Sequence, residues 1–144
     1  MIEPDTIKLL RECDAGIKMG VKSIDDVLDH VKSSDLLDML QTCRDRHEDL
    51  DWDLQQLLDQ YGDDGKEPGF MAEKMAAMKT GMKLGMNDGD GTVADLMTDG
   101  CNMGVKSLSR YLNQYAAADE ASKDITKKLI KLESQLAVDL RDYL

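Results

Sequence analysis

Few side chains in this 144-residue chain are suited to chemistry. Two histidines, His30 and His47, and three cysteines, Cys13, Cys43 and Cys101, stand among many carboxylates. Four polar residues fall on or beside positions that otherwise carry apolar side chains: Asp14, His47, Asp99 and Glu133. Imidazole and carboxylate together are donors for iron and similar metals, which makes these four an alternative metal set. The other reading is structural. A buried carboxylate must be paired or protonated, and a histidine partner would satisfy it while gaining a raised pKa. Asp14 is expected to snorkel at the bundle edge or to anchor a polar pocket with Asp51 or Asp99. The thiols are odd in number and far apart, so they read as reduced, buried and apolar in behaviour. A reactive thiol would need a nearby cation, for which Lys18 and His47 are the candidates.

These residues sit on amphipathic helices. Ile7, Leu10, Asp14, Ile17, Val21, Ile24, Leu28 and Val31 recur at spacings of three and four, which predicts a helix over 6–31. Ser33, Ser34 and Asp35 supply a break and an N-cap. A second stripe, Leu36, Leu40, Cys43, His47, Leu50, Leu54, Leu57 and Tyr61, predicts a helix ending near Gly62. Two further helices are expected over about 92–117 and 119–144. Between the pairs, Met71, Met75, Met78, Met82 and Met86 mark a shorter amphipathic segment in the crossover. Its methionines read as core, or as a surface for a protein partner, with copper(I) a third possibility.

The chain also resembles itself. Gly16 to Ile24 matches Gly100 to Leu108 at six of nine positions, an offset of 84. At an offset of 86, Asp53–Leu58 aligns with Asp139–Leu144, Leu50 with Leu136 and His47 with Glu133. The expectation is a duplicated helical hairpin in a single domain over 1–144: hairpin 6–61, crossover 62–91, hairpin 92–144. Both copies carry a Gly-x-x-x-Gly pair, Gly16/Gly20 and Gly100/Gly104. Helical glycine costs roughly 1 kcal/mol against alanine, and close approach of the first and third helices is the expected compensation.

A net charge of -11 argues against nucleic acid or an anionic membrane as partner. No apolar run is long enough to span a bilayer, and Met1–Asp5 lacks the regions of a signal peptide, so a cytoplasmic protein is expected. Asn87–Gly91 and Asp63–Gly65 offer oxygens but lack a calcium-loop frame, and read as turns and helix starts. Nucleotide, zinc and hydrolase motifs are absent.

With Leu9–Gly16, Lys66–Gly69 and Gly100–Leu112 as the matching segments, the sequence resembles the ferritin-like superfamily, and within it a small bacterial family of unassigned function. The resemblance implies an all-α four-helix bundle with helices up, down, down and up and a short helix in the long crossover. It also implies that His47 and Glu133 face each other near a pseudo-twofold axis. Ferritin-like enzymes hold two irons with a Glu from each of two helices and a Glu-x-x-His motif from each of the other two. Here Val27 and Arg44 stand three residues before the histidines, and Cys101–Gly104 has no carboxylate. The expectation is therefore a relative without the di-iron centre or other cofactor, more an assembly or partner-binding protein than an enzyme, with a homodimer plausible. The alternative is an iron-binding protein or metal-dependent oxidoreductase using Asp14, His47, Asp99 and Glu133.

Overall fold

The computed structural model describes residues 2–69, 85 and 88–144. These form four long helices: α1 (Pro4–Leu28), α2 (Ser34–Tyr61), α3 (Asp90–Gln114) and α4 (Glu120–Asp139). A 3-10 turn, Leu140–Tyr143, follows, and no strand occurs among the described residues. The all-helical fold class is as the apolar spacing predicts. The methionine segment lies outside the described residues, as does Asn87.

Local chemistry sets the helix ends. Pro4 occupies the first turn of α1, where its missing N–H costs nothing. The Ser33 hydroxyl accepts from Leu36 N at 3.3 Å, and the Asp119 carboxylate accepts from Ser122 N at 2.8 Å. Gly62 closes α2 in the left-handed region at φ 67°, as a C-terminal glycine does. Helix α1 stops at Leu28 rather than continuing to Val31. The reason lies on α3: the Asp90 carboxylate accepts from the backbone N–H groups of Lys32 (2.7 Å) and Ser33 (3.1 Å) and holds that connection out of helix. Asp90 is thereby a helix start and a clamp at once. Helix α3 also ends earlier than expected, at Gln114, and α4 tightens into 3-10 geometry at Leu140.

The same contacts fix the helix directions. The end of α1 meets the start of α3 through Asp90, and His30 Nδ1 lies 2.8 Å from Asp88. The start of α1 meets the start of α4, where Asp119 N donates to Thr6 Oγ1 at 2.8 Å. Thus α1 and α4 run one way and α2 and α3 the other, and α3 begins at the end of the bundle opposite to where α2 stops. Helix α1 packs on all three others, and α2 packs on α4.

Two apolar clusters fill the interior. One gathers Ile24, Val27, Leu36, Leu40, Val93, Met97 and Leu136 with the Cys43 and Cys101 thiols. The other gathers Leu10, Ile17, Leu54, Leu58, Leu108, Ile125 and Leu129 with Cys13. Leu132 touches both. Between them, in sequence and in space, lie His47 and Glu133.

Candidate functional site

His47 comes from the middle of α2 and Glu133 from the middle of α4, each on the apolar stripe of its helix. Both are buried, at 2% and 8% exposure. His47 Nε2 lies 3.9 Å from Glu133 Oε1, an ion-pair separation too long for a direct hydrogen bond. The contact expected between these two residues is present. At the other side of the ring, Nδ1–H donates to the Cys43 carbonyl oxygen one turn back, at 2.8 Å. That bond fixes the ring and aims Nε2 at Glu133. Among the described residues, His47 Nε2 and Glu133 Oε2 have no hydrogen-bond partner.

The electrostatics follow from burial and proximity. Burial opposes the imidazolium, but the contacts with Cys43 and Glu133 outweigh it and hold His47 up at about 10. Burial raises the Glu133 carboxyl above its ordinary value, with His47 pulling it back. The layer thus sets an imidazole against a carboxyl inside an apolar interior.

The paired glycines serve this layer, in a way that differs from the helix–helix contact expected of them. A Cβ on Gly20 would come 2.7 Å from His47 Nε2 and 2.9 Å from its Cδ2. A Cβ on Gly104 would collide with Glu133 Oε2. The second glycine of each pair is thus a notch in α1 or α3 that receives a polar side chain from α2 or α4. The first glycines carry no such duty. Gly16 would meet only ordinary contacts with Leu108 and Leu129, and a Cβ on Gly100 would meet nothing within 4 Å. Gly100→Ala should therefore stabilise the protein by up to about 1 kcal/mol through helix propensity. Gly20→Ala should destabilise it by roughly 1–3 kcal/mol, because a rigid ring blocks the added methyl. Urea titrations of the two variants check the opposite signs.

Asp14 is fully buried rather than snorkelling. Its carboxylate accepts from Lys18 Nζ at 3.0 Å, Gln55 Nε2 at 3.1 Å and Lys66 N at 2.9 Å. Gln55 also donates to Asp51, so the polar pocket with Asp51 exists, built through an amide. The chain closes over Asp14 at Gly65, where φ is +82° and a Cβ would collide with Oδ2. Asp99 is the displaced member of the predicted set. It is exposed on α3 while its neighbours Thr98 and Cys101 turn inward, because Met97 and Cys101, one turn apart, set the buried edge. The four candidates therefore divide into one pair, one separate network and one surface residue.

The thiols are not poised for chemistry. Burial pushes Cys13 up to about 11 and Cys101 to about 12. Cys43 Sγ lies 3.7 Å from His47 Nδ1, but that nitrogen already donates to the backbone. Lys18 is engaged by Asp14 and Glu67. Among the described residues no group of three or more His, Cys, Asp or Glu side chains could hold a metal ion. A di-iron centre, with its four carboxylates and two imidazoles, does not fit the one imidazole and one carboxylate at the bundle centre.

Sequence spacing does not reveal the surface above this layer. Helices α2 and α4 leave an open groove of about 630 Å³ with a floor of Met39, Cys43, Leu50, Leu132 and Leu136. Its walls carry Asp35, Asp38, Arg46 and Asp49 on α2 and Lys128, Lys131 and Asp139 on α4. No helix is long and apolar enough to cross a membrane among the described residues. In comparison with known proteins, no family model, no curated protein and no solved structure matches the chain.

Proposed function

We propose that the chain is a ferritin-like bundle, built from a duplicated hairpin, that lacks a di-iron centre and works by association with protein surfaces rather than by redox chemistry. The observation that carries this reading is the content of the central layer. His47 and Glu133 fill notches at Gly20 and Gly104 and face each other at 3.9 Å, so the layer sets one imidazole against one carboxyl rather than gathering the donors of a metal pair. The other buried carboxylate, Asp14, is occupied by three donors. Three buried cysteines, none of them in a disulfide, suit a reducing, cytoplasmic setting.

Ferrous ion mixed aerobically with the purified protein should oxidise no faster than in buffer alone. Saturable oxidation with a fixed iron-to-chain stoichiometry would overturn the reading and restore the oxidoreductase alternative.

A further inference from the structure

We infer that the groove between α2 and α4 receives a second copy of this chain, forming a twofold dimer whose axis runs along the bundle. This rests on the association reading above and specifies its partner.

Charge complementarity carries the argument. Helix α2 bears eight acidic and two basic side chains, more than half of the chain's net charge of -11. On α4, Lys127, Lys128 and Lys131 form a run uninterrupted by any carboxylate between Asp124 and Glu133. The α2 wall of the groove carries three carboxylates against Arg46, the α4 wall two lysines against Asp139, so the walls are net acidic and net basic, and the floor between them is apolar. Within one chain the walls do not neutralise each other. The ion pairs of α2 and α4 go elsewhere, Arg44 to Asp25 on α1 and to Glu48, Lys123 to Glu120, and none bridges α2 to α4 over the groove among the described residues.

Geometry makes the surface self-complementary. Helices α2 and α4 are antiparallel and level at His47 and Glu133. A twofold axis parallel to them lays α2 of one copy on α4 of the other and keeps every residue at its own height. Two residues beyond His47 is Asp49, and two before Glu133 is Lys131, so these meet at the same level. Asp53 and Lys128 meet within about 1.5 Å of axial height, the rise of one residue. Each pair occurs twice in an isologous interface, beside a floor where Met39 and Leu132 are half-buried in one chain.

The test is the mass in solution, by light scattering at low ionic strength and at increasing salt. Wild type should be twice the 16.1 kDa of one chain, with dissociation favoured by salt. Reversing either wall, with Lys128→Glu/Lys131→Glu or with Asp49→Lys/Asp53→Lys, should weaken dimerisation at least tenfold. All four changes in one chain restore complementarity and should restore the dimer. These positions are at the surface, and circular dichroism of each variant should be that of wild type. A dimer indifferent to both reversals overturns this surface. A monomeric wild type overturns the dimer itself and leaves the non-redox reading standing, since that reading falls only on ferrous oxidation.

Discussion

His47→Leu should lower stability at pH 7 by about 3 kcal/mol, while Glu133→Met should cost far less. The asymmetry comes from what each orphaned partner can do. Without His47, the buried Glu133 must take up a proton to avoid an unpaired charge, and its ordinary value of 4.5 makes that costly at pH 7. Each unit of separation is worth about 1.4 kcal/mol. Without Glu133, His47 sheds its proton near its ordinary 6.5 at almost no cost. The His47→Leu penalty should fade as pH is lowered toward 4.5, where the free carboxyl protonates unaided. Replacing both residues, His47→Leu with Glu133→Met, should be close to neutral, because apolar packing substitutes well for a buried ion pair. A double-mutant cycle by urea unfolding at pH 7 and pH 5 reads all three values.

The pair also sets a pH dependence. The folded-state pKa of His47 lies above its unfolded value, so its stabilising contribution is complete below about 6.5 and is lost as pH rises toward about 10. Glu133, also raised, changes stability in the same direction from 4.5 upward. Wild type should lose about 1.4 kcal/mol per pH unit through the histidine window, the slope of one linked proton. His47→Gln should flatten that slope. An unchanged slope in the variant would assign the dependence to other groups.

The second large effect is at Asp14. Asp14→Ala strips an acceptor from Lys18, Gln55 and the backbone N–H of Lys66 at once. Hydrogen bonds to a charged group are worth roughly 1.5–3 kcal/mol each when net. Lys18, one-third exposed, can turn to water, so a total near 3 kcal/mol is expected. Asp14→Asn keeps an acceptor for Lys66 and should cost about 1 kcal/mol. Because Lys66 N anchors the chain leaving α2, its amide should exchange faster in Asp14→Ala while α4 amides hold their protection. A loss under about 0.5 kcal/mol, within the scatter of ordinary surface substitutions, would contradict the network.

The helical stripes made most of this arrangement legible. On α2 the spacing from Leu36 to Leu54 is the buried edge itself, because a long amphipathic helix has one phase that hides its leucines. His47 and Glu133 were readable for the same reason: a polar residue on such a stripe has to go inside with it. Asp99 shows where phase runs short. Helix α3 has fewer large apolar residues, and glycines at 100 and 104 and Cys101 leave its buried edge weakly marked. Asp14 was harder still, since its donors arrive from Gln55 and from Lys66, 41 and 52 residues away. The glycine pairs were recognisable as purposeful, but their purpose depends on which side chain a neighbouring helix aims at them. The groove depends on how far apart α2 and α4 settle, which no local spacing encodes.

The proposal stands or falls on whether the bundle's middle layer, where His47 faces Glu133, takes up metal. The most direct measurement is metal content per chain after anaerobic ferrous loading and desalting, with His47→Ala as control. Neither protein should retain iron. Two irons per chain in wild type, lost in the control, would contradict the proposal.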